Sequence, residues 1–231
     1  MLGVEKVSKN IEYNLSHVHI IFSEGNIADF IRWCDYLGTF AFAISGIRLA
    51  AAHRFDWFGA FVVGLVTAVG GGTLRDIMLD IPVFWLTEPS YLLITSLALV
   101  VTVLFRKWLV KLNNTVYFFD AVGLGLFTAV GVAKSLGSSF PWWIAPIMGT
   151  ITGSFGGMIR DILINEVPLI FRRDFYAMAC LTGSFIYLAL LYLEVSAFWA
   201  QGISALSIVI LRILAAKYHW GIPYLTPHSN E

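Results

Sequence analysis

Apolar runs of about 20 residues alternate with short polar links along most of this chain. A helix that crosses a bilayer needs roughly 20 mostly apolar residues. Seven runs meet that requirement, and the links between them hold turn residues or charges, as in "AHRFD" and "LGSSFP". The pattern predicts an all-α integral membrane protein with seven transmembrane helices, at 31–51, 57–79, 91–110, 116–137, 142–164, 175–194 and 196–216.

The composition agrees with a membrane protein and argues against other classes. Of 231 residues, 58% are hydrophobic and 13% are charged, whereas about 25% are charged in soluble domains. The formal net charge of zero leaves no basic surface for nucleic acid. Cys34 and Cys180 lie in apolar runs and are predicted to be small core residues. Since the sequence offers no metal-ligand cluster and no nucleophile–base pair, neither a cofactor nor enzymatic activity is expected.

The sequence contains an internal repeat. Shifted by 85 residues without a gap, it matches itself at many positions, several of which are Gly, Asp or Arg and are not explained by apolar bias. The matched pairs are Asp35 with Asp120, Gly38 with Gly123, Phe42 with Phe127, Gly46 with Gly131, Trp57 with Trp142, Ala60 with Ala145, Gly64 with Gly149, Thr67 with Thr152, Gly71 with Gly156, Gly72 with Gly157, Arg75 with Arg160, Asp76 with Asp161, Ile77 with Ile162 and Tyr91 with Tyr176.

Each copy of the repeat holds three predicted helices, and this odd number has a topological consequence. The second copy enters the membrane from the opposite side, so the two copies are predicted to be inverted. Inverted repeats recur in transporters, with the pathway at the repeat interface near the midplane. The seventh helix is expected to serve packing. The predicted division is a polar N-terminal arm at 1–26, repeat 1 at 27–111, repeat 2 at 112–194, helix 7 at 195–216 and a cytoplasmic tail at 217–231.

The distribution of lysine and arginine predicts the orientation. Seven crossings place the termini on opposite sides, and ten basic residues then fall on the side of the C-terminus against five on the other. Basic residues concentrate in the cytoplasm. The N-terminus is therefore predicted to lie outside and the C-terminus in the cytoplasm.

Glycines cluster near the end of the second helix of each repeat. Gly70, Gly71 and Gly72 in repeat 1 correspond in place to Gly156 and Gly157 in repeat 2. The stripe of small residues before them allows close helix packing, and packing alone is one interpretation. Each glycine also weakens a helix by about 1 kcal/mol relative to alanine. We therefore predict a kinked or unwound helix at both places, which would indicate a permeation site.

Phosphate binding is a weaker interpretation of the same stretch. "GGGTLRD" has neither the spacing of a P-loop nor its lysine, and it follows a membrane helix rather than a strand. Contact of Arg75 or Arg160 with the phosphate of a lipid headgroup stays open as an alternative.

Charged residues lie at equivalent ends of both repeats. Ionisable groups inside membrane spans usually face the bundle interior and pair with one another. We expect Asp35 to approach Arg75 and Asp120 to approach Arg160, either as structural salt bridges or as gating charges at the two mouths of a pathway. The candidates for the pore mouths are Asp35, Arg75, Asp76, Asp120, Arg160 and Asp161.

Mildly polar side chains between these ends are candidates for a pore lining. Hydroxyls and glycine carbonyls can replace part of the water shell of an ion, although hydroxyls also bind carbonyls within their own helix. Mirrored phenylalanines could form a hydrophobic gate or simply pack in the core. The lining candidates are Ser45, Thr67, Thr152, Phe42 and Phe127, with Thr128, Thr150 and Ser154 behind them.

"GGGTLRD" and "GSFGGMIRD" in mirrored sets of three helices resemble the bacterial and archaeal members of the trimeric intracellular cation (TRIC) channel family. The resemblance covers nearly all of 27–216 and implies a homotrimer with one hourglass pore in each protomer, conducting K⁺ and Na⁺ with little selectivity. The Lys-Glu-Val motif of animal members is absent from the second helix, which puts their regulation in doubt here. Some bacterial relatives are similar to predicted glycine carriers.

The leading hypothesis is a passive monovalent-cation channel in a bacterial or archaeal inner membrane, with lipid and further copies of itself as its partners. The alternative is a carrier for a small zwitterion such as glycine, in which an arginine would hold the carboxylate and an aspartate the ammonium. An enzyme or a purely structural membrane protein is a third, less favoured class.

Overall fold

A computed structural model describes residues 25–106, 115–138, 140–172 and 175–221. These residues form eight α-helices, a 3₁₀ turn and no extended strand. Residues 1–24 of the predicted N-terminal arm and 222–231 of the predicted tail lie outside the described ranges. The helices are α1 (Gly25–Ala52), α2 (Trp57–Met78), α3 (Phe84–Thr87), α4 (Ser90–Leu104), α5 (Thr115–Leu136), α6 (Ile144–Leu163), α7 (Ala177–Tyr192) and α8 (Ala197–Tyr218), and the 3₁₀ turn is Leu169–Phe171.

One long helix overlaps each of the seven predicted spans, and α3 is a single extra turn between α2 and α4. Among the described helices, α2, α5 and α8 are long and apolar enough to cross a membrane, and α4 and α7 are shorter apolar helices. Membrane insertion is therefore supported by helix length and composition, and a crossing by all seven helices stays a prediction.

The ends of α2 and α6 are built in the same way. Asp80 and Asn165, 85 residues apart, both adopt the left-handed conformation, with φ of 55° and 61°. Short polar side chains tolerate this conformation better than branched ones. Beyond each, a backbone N–H donates to the carbonyl of the repeat aspartate, from Ile81 to Asp76 at 3.0 Å and from Glu166 to Asp161 at 2.8 Å. The repeat in the sequence is thus also a repeat in local structure.

Four helices form the centre of the molecule, where α1 packs against α5 and α2 packs against α6. Phe42 on α1 meets Phe127 on α5 with ring centroids 5.3 Å apart, and both side chains are buried. On the outside, α4 packs against α1 and α2, whereas α7 and α8 cover α5 and α6. The seventh long helix has the packing role expected of it.

The glycine clusters differ from the prediction in one respect. The α-helical hydrogen bonding runs unbroken through Gly70–Gly72 in α2 and through Gly156–Gly157 in α6, and these glycines have ordinary negative φ. The unwound turn predicted at these places is therefore not found in either helix. A bend of the helix axis stays a prediction.

Candidate functional site

The glycines bring α2 and α6 into direct backbone contact. A methyl group added to Gly71 would overlap the carbonyl oxygen of Thr152, and one added to Gly156 would overlap the carbonyl oxygen of Thr67. The two contacts are equivalent, because in each the glycine of one repeat faces the threonine carbonyl of the other. Glycine is needed here because any side chain would push the two backbones apart.

Beyond the glycines, Arg160 is the centre of a buried ion cluster. Its Nη1 lies 2.5 Å from Oδ1 of Asp120, which confirms the predicted pair, and it also donates to Oγ of Ser45 at 2.8 Å. Nε donates to Oδ1 of Asp161 at 2.9 Å. We call Arg160, Asp120, Asp161 and Ser45 the Arg160 cluster. Buried charges are tolerated only when they are paired and hydrogen-bonded in this way.

Asp161 also fixes the chain that follows α6, since its Oδ2 accepts a hydrogen bond from the backbone N–H of Leu169 at 3.0 Å. A cavity of about 310 Å³ opens beside the cluster. Charged groups line its polar side, and Glu166 there pairs with Arg172 at 2.6 Å. The cavity is lined by Leu49, His53, Val116, Tyr117, Asp120, Arg160, Asp161, Glu166, Leu169 and Arg172.

The equivalent cluster in repeat 1 is built around Arg75. Its Nε donates to Oδ1 of Asp76 at 2.7 Å, and Oδ2 of Asp76 accepts from the backbone N–H of Phe84 at 3.0 Å. Arg75 and Asp76 are completely buried, and Nη1 of Arg75 lacks a hydrogen-bond partner in the part of the chain that the structure describes. Asp76 therefore binds the chain after α2 and does not face an open mouth.

The predicted approach of Asp35 to Arg75 is wrong. Oδ2 of Asp35 pairs with Nζ of Lys134 on α5 at 3.2 Å. Lys134 thus takes the place at the carboxylate of Asp35 that the repeat assigned to an arginine. The equivalent position in repeat 1 is the apolar Leu49, so Asp120 has no such lysine. We call Arg75, Asp76, Asp35 and Lys134 the Arg75 cluster.

The predicted lining residues lie together in the centre but are closed off from solvent. Thr67 and Thr152 are completely buried, and each hydroxyl donates to the carbonyl four residues earlier in its own helix at 2.6 Å. Thr150 and Ser154 make the same kind of bond. Ser45 belongs to the Arg160 cluster instead. A lining role for these side chains requires the central helices to separate.

Two cations at the site were not predicted from the sequence. Lys134 is one, and its signal was a charge inside an apolar run. Arg212 on α8 is the other, since it was counted among the basic residues at the cytoplasmic side but is 1% exposed. Its guanidinium carbon lies 4.5 Å from the ring centroid of Tyr117 and 4.7 Å from that of Tyr176. Arg212 thereby joins α8 to the region around the Arg160 cluster.

Comparison with known proteins agrees with the repeated architecture. A protein-family model described as a glycine transporter matches the chain twice, at residues 32–107 and again at 117–192. The two matches fall on the two predicted repeats. The chain belongs to this family. The inner membrane protein YadS of Escherichia coli strain K12 is 38% identical to this family member over 209 residues, which cover 87% of the chain and 98% of YadS.

Solved structures of TRIC channels share the fold of this family member. A structure described in work on conductance through TRIC cation channels has a TM-score of 0.76 at 36% identity, covering 86% of this chain and 98% of that one. The TRIC orthologue from Rhodobacter sphaeroides has a TM-score of 0.78 at 33% identity, covering 82% and 98%. The resemblance inferred from the glycine and Arg-Asp motifs is confirmed, and the chain is a membrane protein of the prokaryotic TRIC type.

Proposed function

We propose that the protein is a passive channel for the monovalent cations K⁺ and Na⁺, in a bacterial or archaeal inner membrane. The observation that carries the proposal is the likeness, over more than four-fifths of the chain, to solved TRIC cation channels at 33% and 36% identity. The chemistry of the site agrees, because carboxylates beside a cavity attract cations.

The architecture that we propose has two inverted repeats, seven membrane crossings and an external N-terminus. The double match of one family model, in segments that each contain three long helices, supports the inversion. The Rhodobacter sphaeroides orthologue is described as a trimeric channel, which supports a homotrimer here, with one pathway in each protomer. The pathway would run between α1, α2, α5 and α6, which form the centre of the molecule.

In this proposal a cation enters the cavity beside the Arg160 cluster, drawn by Asp120 and Asp161. Arg160 alone would repel it, but two carboxylates bound to one guanidinium leave a net negative charge. Oδ2 of Asp120 has no hydrogen-bond partner among the described residues and is available to a cation. Asp35, paired with Lys134, would be the corresponding carboxylate at the other mouth.

The closed centre would be the gate. Phe42 and Phe127 form an apolar contact there, and dewetted apolar constrictions block ions. Opening would require α1 to part from α5, while a bend at the glycines of α2 and α6 would expose backbone carbonyls. The lone pairs of Thr67 and Thr152 that their hydrogen bonds leave free could then contact the ion.

Single-channel recording in a planar bilayer tests the proposal. Purified protein is expected to give discrete openings in KCl, with a reversal potential near zero when one side holds NaCl instead, because selectivity between the two ions is small. A protein that gives steady incorporation but no openings at any voltage would contradict a channel.

A glycine-like zwitterion carrier is the second candidate, favoured by the description of the matching family model. An arginine beside a free carboxylate oxygen could hold both ends of a zwitterion. Saturable uptake of radiolabelled glycine by proteoliposomes, without channel openings, would support the carrier. Uptake that does not saturate with glycine concentration would count against it.

A further inference from the structure

A second charged cavity lies away from the proposed pathway, between α1, α2 and α4. It measures about 270 Å³ and receives the side chains of Arg48 from α1 and Arg106 from just beyond α4. Asp56 and Trp57 from the start of α2 form another wall. We call it the side cavity. It shares none of its lining residues with the cavity beside the Arg160 cluster.

The electrostatics of the side cavity favour an anion. Nε of Arg48 is buried and has no hydrogen-bond partner among the residues that the structure describes. Among the described residues that line the cavity, Asp56 alone has a carboxylate, and it is already engaged, because Oδ1 accepts the backbone N–H of Gly59 at 2.7 Å as the cap of α2. Two guanidinium groups against one capped carboxylate leave a positive site with a free donor.

The internal repeat shows that the two arginines are not a general requirement of this three-helix unit. The positions equivalent to Arg48, Asp56 and Arg106 are Ala133, Pro141 and Leu191, none of which carries a charge. Repeat 2 builds the same set of three helices without them. The two arginines therefore mark a difference between the repeats, whereas Asp56 has a structural role as the cap of α2.

The surroundings point to a lipid as the source of the anion. Trp57 and Phe58 are 71% and 75% exposed beside the cavity, and exposed aromatic rings of this kind mark the level of lipid headgroups. The outer face of α4 carries exposed apolar side chains, including Leu97, Val100 and Leu104, against which acyl chains can lie. The cavity itself is slightly smaller than the roughly 300–1,000 Å³ of pockets that enclose a whole small molecule, so it suits a headgroup alone.

We propose that the side cavity binds the phosphodiester headgroup of an anionic phospholipid, with Arg48 and Arg106 as the phosphate ligands and α4 as the seat of the acyl chains. Arginine suits this role because its planar donors match phosphate oxygens. The distribution of basic residues places the cavity on the side predicted to be cytoplasmic, where anionic lipids are concentrated. The proposal does not depend on what the protein conducts.

Thermal unfolding of the full chain in detergent tests this site, with short-chain phosphatidylglycerol as the added ligand. We expect a saturable rise in melting temperature for the wild type. The lipid concentration that gives half of the rise should increase about fivefold in Arg48→Gln and in Arg106→Gln. This is the change in affinity expected when one basic residue near an anionic lipid is lost. Arg106 is exposed, so its substitution leaves the fold intact. Arg54→Gln, in the link between α1 and α2 but outside the cavity, is the matched control and should behave as the wild type.

Three results would overturn the proposal. An equal rise with phosphatidylcholine of the same chain length would show that apolar contact suffices. An equal rise with inorganic phosphate, lost in the same two variants, would assign the cavity to a free anion. A loss of response in Arg54→Gln as large as in Arg48→Gln would indicate general surface charge and no built site.

Discussion

The Arg75 and Arg160 clusters share a frame and differ in the side chains that fill it. In each, an arginine pairs with the aspartate that follows it, and that aspartate holds a backbone N–H eight residues further on. In the Arg160 cluster the residue so held is Leu169, which lines an open cavity. In the Arg75 cluster it is Phe84, whose ring centroid lies 5.5 Å from the guanidinium carbon of Arg75.

The two clusters also differ in a residue on the first helix of each repeat. Lys134 on α5 reaches Asp35 and lies 5.4 Å from the ring centroid of Phe84, so its charge and stem occupy the space beside the Arg75 cluster. The equivalent residue, Leu49, lines the cavity of the Arg160 cluster and leaves Asp120 to Arg160. Two residue differences, Leu169 in place of Phe84 and Leu49 in place of Lys134, thus distinguish the clusters. The Arg160 cluster opens to a cavity, whereas an aromatic ring and a lysine cover the Arg75 cluster. The repeated local structure fixes where the charges lie, and in the proposed channel these two differences would decide which charges an ion reaches.

Substituting the contact that the two halves share should have the largest effect. Gly71→Leu and Gly156→Leu each force a side chain into the backbone of the facing helix. Overpacking of this kind costs about 1–3 kcal/mol or more, and we expect loss of ion flux together with a lower melting temperature in both. Gly202→Leu on α8 is the control, since nothing lies within 4 Å of a β-carbon there. Normal flux in both α2 and α6 variants would contradict a pathway formed by these helices.

Neutralising the aspartates should have the next largest effect, and the loss of stability should differ between the two clusters. Asp120→Asn removes a fully buried partner of Arg160 and is expected to cost about 3 kcal/mol. Asp35→Asn should cost about 1 kcal/mol or less, because the side chain of Lys134 is 24% exposed and can be hydrated when its partner is lost. Melting temperatures in one detergent compare the two variants. Equal destabilisation would show that exposure of the partner does not govern the strength of these pairs.

Exchanging Leu169 and Phe84 between the two clusters should close the cavity beside Arg160 and open space beside Arg75. Leu169→Phe is expected to narrow the cavity beside Arg160 and lower the unitary conductance. Phe84→Leu should open space beside Arg75 at a cost of about 1 kcal/mol in stability. Conductance of the two single variants and the double exchange, recorded in the same lipid, measures the effect. A conductance that falls in Phe84→Leu as much as in Leu169→Phe would contradict the assignment of the open side.

The smallest effect is expected from the lysine. Lys134→Gln removes the positive charge beside Asp35 but keeps a hydrogen-bond donor for its buried carboxylate, and it should raise the current carried by cations entering from that side. Leu49→Lys, its mirror image, should lower the current from the other side. Because the Debye length is about 10 Å at 0.1 M salt, both changes should be clear at low ionic strength and fade as KCl increases. An effect that is independent of salt would point to altered packing instead.

Much of the fold was predictable because the length of an apolar run predicts a membrane helix, and each of the seven long helices overlaps a predicted run. The pairing of Asp120 with Arg160 was also predictable, since repeat position and span direction put both at one end. The pairing of Asp35 was not. A prediction from the repeat assumes that equivalent residues have equivalent partners in both copies. Lys134 breaks that assumption, because its counterpart in repeat 1 is the apolar Leu49.

The glycines show a different limit of sequence reasoning. Their low helix propensity predicted an interruption of α2 and α6, yet both helices are continuous. Propensity is a local property, whereas the reason for Gly71 is the carbonyl of Thr152 on another helix. The distance between two helices cannot be deduced from either one alone, so the same residues fitted a hinge and a tight contact equally well.

The reciprocal fit of Gly71 against Thr152 and Gly156 against Thr67 also restricts how the molecule can move. A slide of α2 along α6 by one helical turn would bring the side chain of Thr67 or Arg75, four residues from Gly71, towards the carbonyl that Gly71 now faces. The two contacts therefore hold α2 and α6 in register, and we expect a bend at the glycines to involve both helices together. The contact between α1 and α5 is made instead by the rings of Phe42 and Phe127, so we expect a conformational change to begin with the separation of these two helices.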